Sequence, residues 1–330
     1  MNERSLEVLE QYDLVCQDVF HGRGSFICRT DKGRKLLYPF GGSETKAALL
    51  YSLQLRRKEA GEGFVDIPLM NKEGEFVSTD MYGNRFILKD WVETPDWDIS
   101  SKQELSKAMK GLAVFHKAFR LGETDVEKYK KFTENAESFS LVVEKRNREI
   151  SKVYKYIRTK NNKTDFEFSF LHVADFFLEQ GRHVAKELSE SHCDKLLEEA
   201  KEKGLFGHGD FSQHEIILFE SEAHVIHPEH FVCTVQLEDL AHIMRKILEK
   251  NDWDINIGLA MLEAYDLEKT LSETERRFLY LRLSYPEKFR KLANRYYNSK
   301  KSWISVRQEE KLARLIEQDK KKELFLEKIL

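Results

Sequence analysis

Gly207-His208-Gly209-Asp210-Phe211-Ser212-Gln213-His214-Glu215-Ile216-Ile217-Leu218-Phe219 is the stretch on which the reading of this chain turns, together with Val225-Ile226-His227-Pro228-Glu229 just after it. Glycines flank a histidine and an aspartate, a polar segment follows, and the chain then becomes apolar at Ile216. Ile216 to Phe219 and His224 to Ile226 are short apolar runs on either side of a polar turn, which predicts a β-hairpin. Asp210 therefore stands on a loop that enters a sheet. Such an acid has two roles open to it. It can accept a proton from a substrate hydroxyl as a general base, or it can organise its own loop by accepting hydrogen bonds from the amides beside His208 and Gly209.

The order of residues resembles the catalytic loop of kinases of the aminoglycoside and choline phosphotransferase kind. There, His-Gly-Asp is followed by four residues, an Asn, a short strand, a turn, and an apolar residue before a second Asp. Here Asp210 keeps the first acid, Glu215 stands at the Asn position and His227 at the second Asp position. Phosphoryl transfer depends on positioning and on cations that neutralise the moving group, and magnesium is held by hard oxygen ligands. Glu215 keeps an oxygen on a longer stem, whereas the imidazole of His227 is a softer ligand suited to zinc or copper. His208 reads as an anchor of the loop.

The resemblance also locates the phosphate-binding Lys of the third strand, and Tyr38, after Leu37, occupies that place. Lys35 is no natural substitute, because residues three apart on an unbulged strand point to opposite faces. Gly22-Arg23-Gly24 reads as a hairpin turn rather than a phosphate-covering loop. The site residues are thus Asp210, His208, Glu215, His227 and Tyr38, with no cofactor, no metal and little nucleotide binding expected. A neighbouring acid and cation that replaced the altered residues would overturn that expectation.

Outward from the loop, the chain reads as an α+β, bilobal protein-kinase-like fold. Residues 1–94 form a small lobe of five strands and one helix, and residues 95–330 form a mainly helical lobe that carries the altered loop. Val15 to Phe20, Ser25 to Arg29 and Arg34 to Tyr38 make a meander. Ser43 caps a helix, and Phe76 to Thr79 pairs with Arg85 to Lys89. The join falls at Thr94-Pro95-Asp96. Leu105, Ala108, Met109, Leu112, Ala113, His116 and Phe119 then recur at helical spacing, which makes His116 a hydrogen-bonded core residue. Leu237, Leu240, Ala241, Met244, Ile247 and Leu248 mark another helix, with Glu238 and Asp239 in its first turn.

Composition narrows the function classes. The 330 residues carry a net charge of −3, which gives no electrostatic reason to expect a nucleic-acid partner. No apolar run approaches the roughly 18 residues that span a bilayer, and Met1-Asn2-Glu3-Arg4-Ser5 does not open a secretory signal. Cys16, Cys28, Cys193 and Cys233 are scattered, so no disulfide framework is expected. Six of the eleven histidines lie between His208 and His242, and His224, His227, His230 and Cys233 have the ligand chemistry of a zinc site. Strand alternation and Pro228 keep them from converging.

The second half resembles the CotS-type spore-coat proteins of endospore-forming bacteria, through Asp239-Leu240-Ala241-His242, Asn251-Asp252-Trp253, Leu283-Ser284-Tyr285-Pro286-Glu287-Lys288-Phe289, Tyr296-Tyr297-Asn298 and Lys301-Ser302-Trp303. That resemblance implies a structural or assembly protein, made in the mother cell and laid down in the spore coat beside other spore-coat proteins, with no membrane or nucleic-acid partner. With the altered loop, it implies a pseudokinase. Two alternatives remain: an active small-molecule kinase with Asp210 as base, Glu215 holding a metal and an unidentified Lys on ATP, and a module that binds a small molecule without chemistry.

Overall fold

The structure is a computed structural model that describes residues 7–22, 24–219, 221–298 and 306–329. Met1 to Ser5, Arg23 and Lys301-Ser302-Trp303 lie outside the described residues.

Three antiparallel strands, β1 (Cys16–Gly22), β2 (Ser25–Thr30) and β3 (Gly33–Pro39), open the chain as a meander. Helix α1 (Glu44–Glu59) follows, started by Ser43, whose hydroxyl accepts from the Lys46 amide. Its buried face carries Ala47, Leu50 and Leu53, and also Gln54 and Arg57. Strands β4 (Pro68–Leu69), β5 (Val77–Thr79) and β6 (Arg85–Asp90) complete the sheet, in the order β1-β2-β3-β6-β4 with β5 also on β6. Six strands stand where five were expected. The extra one, β4, is two residues long, too short for alternating polarity to betray it.

One face of the sheet packs Cys28, Leu37, Phe86 and Leu88 against Val8, Leu9 and Tyr12. The other face shares a core with α1 and with the helical part of the molecule, whose first helix is α2 (Lys102–Ala118). After it come α3 (Phe139–Thr159), α4 (Asp165–Glu190) and α5 (Asp194–Glu202). Thr164 begins α4 with a reciprocal capping box to Glu167.

The loop of interest is framed by short β elements. Strand β7 (Phe206–Gly207) pairs with β10 (Val232–Cys233), and β8 (Ile216–Leu218) pairs with β9 (Ala223–Val225) as the expected hairpin. Helices α6 (Leu237–Lys250), α7 (Ile255–Glu268), α8 (Glu273–Ser284), α9 (Glu287–Asn298) and α10 (Val306–Ile329) finish the chain. A second core joins α3, α4, α9 and α10, where Phe289 stacks on Phe170 and Phe177 with ring centroids 4.7 and 4.6 Å away. Burying each such ring stabilises the fold by about 2–3 kcal/mol. The closing helix docks where α7 carries Gly258, since a Cβ there would lie 2.2 Å from the Phe325 ring.

Candidate functional site

The loop from Gly207 to Ser212 is held from beneath by Asp239, in the first turn of α6. Its carboxylate accepts from the amides of His208 (2.6 Å) and Gly209 (3.3 Å), and from Nε2 of His116 (3.2 Å). His116 is buried, and Nδ1 of its ring receives the Tyr265 hydroxyl at 2.8 Å. Burial lowers the His116 pKa, so the neutral ring donates from Nε2 and accepts at Nδ1. The acid that organises the loop is therefore Asp239, not Asp210, whose side chain is exposed. Gly209 has no substitute: its φ is +87°, and a Cβ would stand 2.1 Å from the His230 carbonyl oxygen. His208 donates from Nε2 to the Ile226 carbonyl at 2.8 Å. That bond ties the loop to the strand leading to His227, and burial keeps the ring neutral.

His227 is followed by a single 3-10 turn, Pro228–His230. Its backbone sits in the left-handed region, at φ 60° and ψ 45°, a conformation that costs a non-glycine residue energy, and more so before proline. The turn delivers Glu229 into the interior, where the carboxylate meets the ammonium of Lys89 from β6. Lys89 also donates to Asp66 Oδ2 (2.6 Å) and to His227 Nδ1 (2.7 Å), and Asp66 Oδ2 accepts the His227 amide at 2.9 Å. All three donors of the ammonium are used. Lys89, Asp66 and Glu229 have side chains 0%, 1% and 2% exposed.

The electrostatics of the cluster are self-consistent. Burial opposes the Lys89 charge, but the carboxylates of Asp66 and Glu229 outweigh it and hold the ammonium protonated. Burial likewise opposes the Asp66 carboxylate, and Lys89 more than compensates, so Asp66 stays below the usual carboxylate range. His227 is pushed down to about 4 by burial and by Lys89, which leaves the neutral imidazole that Lys89 needs as an acceptor. Behind Asp66, Gln54 donates to both its backbone and side-chain oxygens, and the Gln54 carbonyl accepts from Arg57. Arg57 pairs with Glu62 and donates to the Val225 carbonyl at 2.8 Å. A continuous polar chain thus runs from α1 to the hairpin of the other lobe.

Tyr38 faces this cluster. Its ring stacks on His227 with centroids 6.1 Å apart, Lys89 lies over it, and its hydroxyl meets His230 Nε2 at 3.3 Å. Lys35 pairs instead with Asp90 on the neighbouring strand. The β2-β3 register is unbroken, as the opposite directions of the two side chains require. Glu215 is partly buried near Glu229 and Asp210, and burial followed by Glu229 raises its pKa to about 7. His224 turns to Glu222 while His230 turns to Tyr38, so the four residues of zinc type do not converge.

Four residues central to this geometry, Asp66, Lys89, Glu229 and Asp239, were not assigned to the site by sequence reasoning. One signal was available: Lys89 follows Phe86-Ile87-Leu88 on a strand that is buried, and an ammonium in such a place needs partners. Asp66 precedes a two-residue strand and carried no comparable signal.

The family model described as "Spore coat putative kinase YutH" matches residues 5–329. The chain belongs to this family. The chain is also similar to Spore coat protein S of Bacillus subtilis (strain 168), with 24% identity over 312 residues, 93% of this chain and 87% of that protein. Among solved structures it is similar to an aminoglycoside phosphotransferase from Alicyclobacillus acidocaldarius subsp. acidocaldarius DSM 446, with a TM-score of 0.84 at 17% identity over 98% of this chain and 94% of the other. A spectinomycin phosphotransferase bound to ADP and spectinomycin is similar with a TM-score of 0.55 at 11% identity over 95% and 92%. At these identities the likeness fixes the kinase-like fold and nothing finer. The YutH-family chain is thus a CotS-type, kinase-like protein, with a small sheet-rich N-terminal part and a helical remainder.

Proposed function

We propose that this chain is a structural or assembly protein of the spore coat in which the phosphotransferase site is silent. The coat setting is supported by the family and by the name of the Bacillus subtilis relative. On this reading the protein is made in the mother cell, and its partners are other coat proteins. The silent site is supported by the burial of the Lys89 cluster, which keeps its ammonium from any ligand. The sequence reading required that no neighbouring acid and cation replace the altered residues, and such an acid and cation are present. They are spent on each other. Asp66, His227 and Glu229 are, among the described residues, the group whose ligand atoms lie close enough to hold an ion, and the Lys89 ammonium is bonded to all three. A tethered cation occupies the position a dissociable one would need, with no side chain of the salt-bridged trio more than 2% exposed. Magnesium fits poorly here, because it would have to displace an ammonium that already satisfies two buried carboxylates. Tyr38 adds no cation where phosphates would need one.

The reading is tested by melting the protein with and without Mg-ATP. Nucleotide at about 100 times its dissociation constant would stabilise by about 2.7 kcal/mol; no shift that depends on magnesium and on Asp210 is expected. A clear shift abolished by Asp210→Ala would refute a silent site. A second reading, an active small-molecule kinase, draws on one observation: Asp210 is exposed and Glu215 only partly buried, so both carboxylates remain within reach of the cleft. It requires ADP release from Mg-ATP that depends on an added acceptor and disappears in Asp210→Ala.

A further inference from the structure

Beneath the same loop, on its helical side, lies a cavity of about 850 Å³, large enough for a small organic molecule. Gly209, Phe211, Phe206 and Phe231 give it an aromatic floor, and its walls come from α1, the residues leading into α3, the start of α6 and the join between α8 and α9. Seven cationic side chains line it against four carboxylates. Three of the four carboxylates are already committed, and the fourth, Glu137, is exposed to solvent. Asp239 holds the loop amides and His116, Glu238 is bound by Arg282, and Glu287 takes a bidentate pair from Arg290.

What remains is an unbalanced set of cations. Among the described residues Arg146 pairs with Glu287 alone, at 3.6 Å and in competition with Arg290. Burial and the neighbouring Arg282 depress its pKa, as burial and Arg245 depress that of Lys291. Lys46 at the opposite rim is also depressed by burial. Two lining residues each hold a buried polar atom with no partner among the described residues: the hydroxyl of Tyr285, a residue 1% exposed, and Nε2 of His242. The charges surrounding the Tyr285 hydroxyl are those of Arg146, Arg290, Arg282 and Glu287. Crowded guanidinium groups beside an unused hydroxyl donor are what a bound oxyanion would relieve, since arginine matches carboxylate and phosphate oxygens in fork geometry.

We propose that this cavity binds a small molecule carrying several phosphate or carboxylate groups, with its anionic end between Arg146, Lys291 and Tyr285 and its body on the aromatic floor. The assignment goes beyond the reading of the cleft and needs no phosphoryl transfer. It holds whether or not ATP binds.

Calorimetric titration of the intact chain at low salt, without nucleotide or metal, tests it. Tripolyphosphate and citrate represent the two oxyanion sources, and spermidine is the cationic control. Saturable one-to-one binding of at least one anion and none of spermidine is expected, with the tighter anion naming the source. Arg146→Gln with Lys291→Gln should weaken that binding at least tenfold, and Lys46→Gln should weaken it less. Lys320→Gln, on the exposed face of α10, should leave it unchanged. No saturable heat with either anion at millimolar concentration would overturn the proposal. So would binding that survives the double change in a chain that still melts cooperatively, or an equal loss in Lys320→Gln.

Discussion

Around Lys89 the charges are sealed and mutually neutralised, whereas around Asp210 they are open, with Glu215 and the half-buried ammonium of Lys246 close enough to interact with it. The first group consists of an ammonium, two carboxylates and a neutral imidazole, each held by the others. The second consists of Asp210 on an exposed loop and Glu215 beside it, raised towards neutrality partly by acids nearby. A phosphotransferase needs cations where the charge is open. This molecule has placed its most fully partnered cation where the charge is closed, and that contrast says more about the site than any single altered residue.

The contrast breaks most directly at Lys89. Lys89→Met leaves Asp66 and Glu229 buried without a counter-charge and should cost about 3–5 kcal/mol in urea unfolding. Manganese at millimolar concentration should restore part of the loss, because the vacated centre is lined by Asp66, His227 and Glu229. A loss below about 1 kcal/mol would show that the cluster is not sealed. On the open side, Gly209→Ala should cost about 2–4 kcal/mol, from a positive φ and a clash with the His230 carbonyl. An unchanged denaturation midpoint there would mean that the loop yields.

Glu215 sharpens the comparison through pH. Its folded pKa of about 7 lies above the ordinary carboxylate value. Between those values the folded chain keeps a proton that the unfolded chain has released, so this residue's contribution to stability falls as pH rises through that window. Glu215→Gln should therefore stabilise by about 1–2 kcal/mol near pH 8, after allowance for partial solvation, and by nothing near pH 4. Equal gains at both pH values would remove the electrostatic account. The smallest effect belongs to Asp210→Asn, which should shift stability by less than about 0.5 kcal/mol in thermal melting because the side chain is exposed. A larger change would draw Asp210 into the loop's framework after all.

What could be read from the sequence follows local rules. Strands β1 to β3, the Ser43 cap and the β8-β9 hairpin obey alternation and capping, which act within a few residues. His116 was legible as a core histidine because it lay on an apolar helical stripe, and its partners Tyr265 and Asp239 were not, being 149 and 123 residues away. The site failed to show itself for the same reason. Asp66, Lys89 and Glu229 meet only after the sheet has packed on the hairpin, and Lys89 donates across 140 residues to Glu229. Of the two roles open to Asp210 in the sequence, holding the loop amides falls to Asp239, an acid some thirty residues further on that proximity along the chain does not point to.

The polar chain from Arg57 through Gln54 and Asp66 to Lys89 and Glu229 crosses from one half of the molecule to the other. Swinging the halves apart by even the length of one hydrogen bond would strip partners from charges whose side chains are buried. Joined in this way, the sheet-rich part and the helical part should lose their structure together, in one cooperative step on heating or in denaturant.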